Sequence, residues 1–151
     1  MKELTSFDAI LDFAIGEEQK AVDFYSELAG QASSEEMRSV FEEFAQEEVK
    51  HKMKLMEVKE TGITNMPPEN VADLKIADYV VNVKASPNMS YQEALVVAMN
   101  KEKAAFRLYT SLSQRATNQT LKELFAALAQ EESKHKLRFE VEYDDYVLRE
   151  N

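Results

Sequence analysis

Residues 14–55 of this chain recur as residues 98–139, without a gap, 84 positions later. Of the 42 paired positions, 14 are identical. They include Ala14/Ala98, Glu18/Glu102, Ala21/Ala105, Tyr25/Tyr109, Leu28/Leu112 and Phe41/Phe125. Two blocks also match: Ala45-Gln46-Glu47-Glu48 against Ala129-Gln130-Glu131-Glu132, and Lys50-His51-Lys52 against Lys134-His135-Lys136. A unit this long, present twice, is a duplicated helical hairpin rather than a solenoid, which needs more copies. The chain is 151 residues long, which suits one domain spanning 1–151 with a real core.

Each half reads as two long helices. Only 3 Gly and 3 Pro are present, with many Ala, Leu, Met, Glu and Lys, which favours helices over a sheet with many turns. Thr5 or Ser6 starts the first helix, and Ser33-x-x-Glu36 reads as a capping box for the second. Ser90-x-x-Glu93 is a capping box for the third, and Thr117 or Asn118 starts the fourth. The hairpins cover about 6–61 and 90–149, each with a short break, around Gly30–Ser34 and Arg115–Asn118. A longer connection, 62–89, joins them. Gly62 and Pro67-Pro68 stop the second helix, and Val71 to Val83 has helical spacing, which predicts a short packed helix. The fold class is all-α, a four-helix bundle with a long crossover between helices two and three.

Steps of four and three follow one face of each helix. Helix one gives Phe7, Leu11, Ala14, Glu18, Ala21, Tyr25, Leu28 and Ala32; helix three gives Tyr91, Leu95, Ala98, Glu102, Ala105, Tyr109, Leu112 and Ala116. Helix two gives Met37, Phe41, Phe44, Glu48, His51, Leu55 and Val58; helix four gives Leu121, Phe125, Leu128, Glu132, His135 and Phe139. Each stripe is apolar or aromatic except at its middle, where a glutamate sits, followed three residues later by histidine on helices two and four. The adjacent glutamates differ. Glu47 aligns with Glu43, Lys50 and Lys54, and Glu131 with Lys134 and Arg138, so both are expected in solvent. Glu17 pairs with Lys101 in the other half, which tells against a shared inward role.

The inward set is therefore Glu18, Glu48, His51, Glu102, Glu132 and His135. An unpaired buried ion costs on the order of several kcal/mol even after relaxation. No lysine or arginine occupies a matching inward position. Two divalent metals would balance the four carboxylates, and each imidazole would supply one nitrogen ligand. Oxygen and imidazole donors without thiolate suit iron or manganese and tolerate zinc.

Several functions are disfavoured. The formal net charge of -10 speaks against nucleic acid or an anionic membrane as partner. With no cysteine there are no disulfides or thiolate sites. No run approaches the roughly 18 apolar residues of a membrane span, and no leader pattern opens the chain. A cytoplasmic location is expected.

The residues resemble the ferritin-like di-iron carboxylate superfamily, and within it the rubrerythrins. The arrangement of one Glu from each of two helices and Glu-x-x-His from each of the others is the general description of that class. The resemblance covers nearly the whole chain, through Glu18-Gln-Lys-Ala-Val-Asp-Phe-Tyr25, Glu48-Val-Lys-His51, Glu102-Lys-Ala-Ala-Phe-Arg-Leu-Tyr109 and Glu132-Ser-Lys-His135. It implies Glu18 and His51 as terminal ligands of one iron, Glu102 and His135 of the other, and Glu48 and Glu132 as bridges. Tyr25 and Tyr109 are either hydrogen-bond donors to ligand carboxylates or ordinary core tyrosines. Two departures stand out. Rubrerythrins typically carry another glutamate three residues after the third-helix ligand, where this chain has Ala105. A full rubrerythrin also has a cysteine-rich iron domain, for which this sequence has no cysteines.

The resemblance implies two iron ions, with manganese or zinc as alternatives, and a peroxidase that reduces hydrogen peroxide or dioxygen. Electrons would come from an external donor, a rubredoxin-like protein or a flavoprotein, and the protein is expected to be a homodimer. A ferroxidase subunit of an iron store would use the same six residues. A metal-stabilised bundle that acts only through partners is the third alternative. Alanines 14, 21, 98 and 105 flank the ligands and either leave room for a small oxidant or let helices approach.

Overall fold

The computed structural model describes residues 6–32, 34–62, 66–81 and 89–150. Its four long helices are α1 (Phe7–Gln31), α2 (Glu35–Thr61), α3 (Tyr91–Arg115) and α4 (Gln119–Glu150). No strand occurs among the described residues. The helix starts follow local chemistry. The Ser6 side chain accepts from the Ala9 amide, Ser90 and Glu93 form a full capping box, and Asn118 Oδ1 accepts from the Leu121 amide at 3.1 Å. Each such cap is worth about 1 kcal/mol. At α2 the cap is Ser34, whose Oγ accepts from the Met37 amide at 3.2 Å. The expected Ser33 lies outside the described residues, and the helix begins one residue later than that box would place it. Gly62 ends α2 at φ 61°, the left-handed conformation that favours glycine.

The helices pack as α1 on α2 and α3 on α4, joined side by side into one bundle. The hairpins meet antiparallel, because Tyr25 reaches Glu102 while Tyr109 reaches Glu18. On the other side, Phe41 stacks on Phe139 with ring centres 5.8 Å apart, and Phe44 stacks on His135 at 4.0 Å. The apolar stripes are buried as expected, apart from half-buried Ala32, Tyr91 and Ala105. They form two separate clusters. One holds Phe7, Leu11, Leu55, Tyr109, Leu112 and Phe125; the other holds Phe24, Tyr25, Leu28, Phe41, Phe44, Leu95 and Phe139. The six polar residues fill the layer between them.

The short helix expected between Val71 and Val83 is 3-10 rather than α. The crossover forms two 3-10 turns, Pro68–Asn70 and Ile76–Tyr79, and residue 83 lies outside the described part. The cause is local. Leu74 N–H bonds to Val71 O at 3.0 Å rather than one residue further back, while Asn70 O accepts from Arg115 Nη1 at 3.0 Å. A 3-10 turn also puts residues three apart on one face, so Val71 and Leu74 are both buried and satisfy the spacing equally well.

Candidate metal centre

All six inward residues are buried, none more than 4% exposed. They fall into two groups that share Glu48 and Glu132. Glu18 and His51 complete one, Glu102 and His135 the other, and within each group the donor atoms lie within 4.8 Å of one another. A metal with oxygen and nitrogen ligands at about 2.0–2.2 Å needs a span only slightly tighter. His51 Nδ1 stands 3.1 Å from Glu48 and from Glu132 and 3.2 Å from Glu18. One N–H cannot serve three carboxylates. His51 Nδ1, His135 Nδ1 and oxygens of all four glutamates have no well-formed hydrogen bond. Buried polar atoms are rarely left so. Orphaned donors of this chemistry, converging on two points, fit a pair of divalent ions.

The electrostatics agree. Burial raises the pKa of Glu18, Glu48 and Glu132, and pushes Glu102 up to about 7. Burial alone would lower both imidazoles. The close approach of the Glu18 and Glu48 carboxylates outweighs it at His51, which rises to about 10, and that of Glu102 chiefly does so at His135, which rises to about 9. Without another cation the cluster gathers protons, and such a site exchanges them for metal.

Tyr25 donates its hydroxyl to Glu102 Oε1, and Tyr109 hydrogen-bonds Glu18. Burial holds both phenols well above their ordinary pKa, so they stay protonated donors. Each therefore holds a carboxylate of the opposite hairpin.

A cavity of about 30 Å³ opens on the α1–α3 side of the site. All four glutamates, Ala21, Ala105 and Tyr109 line it, and Tyr79 and Val81 of the crossover form part of its wall. Lys101 Nζ donates to the Val81 carbonyl at 3.1 Å, tying the crossover to α3. Of the four alanines, Ala21 and Ala105 make room, whereas Ala14 and Ala98 are packed into the two cores. Glu17 and Lys101, unlike in type, line the same cavity.

Two carboxylates escaped the sequence argument. Glu47, expected in solvent, is half-buried and sets Oε2 3.0 Å from His135 Nε2. Its position beside the Glu48 stripe turns it toward α4, which periodicity within α2 cannot reveal. Glu131 is half-buried as well, but it turns to Lys134, 3.6 Å away, rather than to a histidine. Glu142 is buried near the end of α4, where Tyr91 donates to its Oε2 at 3.0 Å. Only its 139/142 spacing from Phe139 could have signalled it.

Fold and site together define a four-helix bundle of ferritin-like type, whose buried Glu/His cluster fits a di-iron site. The rubrerythrin family model matches residues 9–91 and 93–151, and the chain belongs to that family. Its fold is also that of a hypothetical protein from Pyrococcus furiosus. The solved structure is similar with a TM-score of 0.72 at 22% identity, covering 92% of this chain and 89% of that one. No curated protein matches the chain significantly. No described helix is long and apolar enough to cross a membrane.

Proposed function

We propose that the protein is a di-iron oxidoreductase that reduces hydrogen peroxide or dioxygen. The observation that carries this reading is the small cavity bounded by all four ligand carboxylates. A water needs roughly 10–15 Å³ of such space, so the cavity of about 30 Å³ takes about two water-sized molecules, the size of a small oxidant.

In this reading Glu18 and His51 would hold one iron and Glu102 and His135 the other, with Glu48 and Glu132 shared by both groups of donors. When bound, the iron pair supplies two electrons to a small oxidant. The chain's residues do the rest. Tyr25 and Tyr109 orient Glu102 and Glu18. The histidines approach from α2 and α4, opposite the cavity, so the side facing Ala21 and Ala105 is left for the oxidant. The apolar clusters above and below keep bulk water from the layer. Electrons arrive from a separate donor protein.

Anaerobic loading with ferrous iron, followed by stopped-flow mixing with peroxide or with dioxygen, tests the proposal. Metal-dependent oxidation within one turnover is expected. A loaded protein inert to both oxidants would end it.

A further inference from the structure

The two halves of the site carry the same six donors but do not treat their histidines alike. His135 is held from two sides beyond the cluster. Its ring stacks on Phe44 at 4.0 Å and 20°, and its Nε2 lies 3.0 Å from Glu47 Oε2. Its Nδ1 faces Glu48 and Glu102 at 3.5 Å. A carboxylate on Nε2 selects the tautomer that carries the proton there and presents the Nδ1 lone pair to the cluster.

His51 has neither support. The counterpart of Phe44 in the other half is Leu128, which cannot stack as a ring. The counterpart of Glu47 is Glu131, which pairs with Lys134 3.6 Å away. His51 instead lines an open groove with Leu128, Lys50 and Lys54; Glu47 and Glu131 line it too, but the ion pair of Glu131 is with Lys134 and that of Glu47 with His135. So a pair of positions identical in sequence, Glu47 and Glu131, has diverged in use, and the neighbouring Phe44/Leu128 pair has diverged in type to match.

We infer that Glu47 is a positioning residue that makes the two metal positions unequal. The position bounded by Glu48, Glu102, Glu132 and His135 takes a divalent ion more tightly, and first, than the one bounded by Glu18, Glu48, Glu132 and His51. The inference rests on the metal reading proposed above. Orienting partners of this kind are worth about 10- to 100-fold in metal affinity. The first ion would therefore enter on the side of the third and fourth helices, with the second following into the His51 position.

The test is anomalous diffraction at the cobalt edge from crystals of the full chain given a single equivalent of Co²⁺. It reads the occupancy of each position and needs no turnover. Wild type should show about three- to tenfold more cobalt beside His135 than beside His51, because one equivalent shared between two independent sites divides as the square root of their affinity ratio. Glu47→Ala should bring the two occupancies together, Glu47→Gln should keep most of the bias because its amide oxygen still accepts, and Glu131→Ala should change nothing. Equal occupancies in wild type overturn the inference, and do so even where the alanine variant fails to fold. So does an unchanged ratio in Glu47→Ala, or an equal shift in Glu131→Ala. Cobalt at neither position overturns the metal reading itself and this inference with it, whereas cobalt equally shared overturns the inference alone.

Discussion

Stripped of metal, the protein should lose stability as pH rises from about 5 to about 8, the opposite of ordinary acid denaturation. The reason lies in the buried carboxylates. Glu102 has a pKa raised from 4.5 to about 7. An acid whose folded-state pKa is raised favours folding in its protonated form. Its penalty appears above the unfolded value and is complete once pH passes the folded value. At 1.36 kcal/mol per pKa unit, Glu102 alone costs about 3 kcal/mol above about pH 7. Glu18, Glu48 and Glu132 shift in the same direction. His51 and His135, raised to about 10 and about 9, add stability below about pH 6.5 that is lost as pH climbs through those values. Every group in the cluster thus pulls the same way. Carboxylates with lowered pKa, such as Asp73 beside Arg115, act only at lower pH. For a chain of this size about 3 kcal/mol corresponds to about 6–12 °C in Tm. Thermal unfolding followed by circular dichroism in chelator-treated buffers reads this directly. Glu102→Gln should remove much of the slope and be more stable than metal-free wild type at about pH 8, by less than the full amount of about 3 kcal/mol because it also removes the charge that keeps His135 protonated. Saturating divalent metal should reverse the wild-type trend, because it competes with the protons. A metal-free Tm that is flat or rises over that range refutes the reasoning.

Other perturbations separate the parts of the site. Tyr25→Phe removes the donor to Glu102, and Tyr109→Phe the donor to Glu18; each should weaken divalent-metal binding about tenfold, read by competition with a chromophoric chelator. Ala105→Leu puts a larger side chain into the wall of the cavity and should slow oxidation by peroxide at least about tenfold while two metals still bind, measured by stopped flow and metal analysis. Ser34→Ala should lower unfolding free energy by about 1 kcal/mol in urea titration, since it removes the side chain that caps α2.

The helices and the inward six were legible because both are periodic. Steps of three and four place Phe41, Phe44, Glu48, His51 and Leu55 on one face, and the duplication repeats the pattern independently. What was not legible depends on contacts between elements. Glu47 is one residue from Glu48 and shares a line with charged neighbours, yet α4 passes close enough for His135 to take its carboxylate. Nothing along α2 encodes that approach. In the crossover the short helix was legible but its winding was not, because Val71 and Leu74 satisfy α and 3-10 spacing alike. The Ser34 cap was within reach, because its counterpart in the repeat is Asn118, which caps α4.

The central claim is that six residues from four helices hold two iron ions. Anomalous diffraction at the iron edge, from crystals loaded anaerobically with ferrous iron, tests it most directly. Two iron peaks are predicted, one contacted by Glu18 and His51, the other by Glu102 and His135, with Glu48 and Glu132 between them. A single peak, iron held at other residues, or none at all would contradict the account.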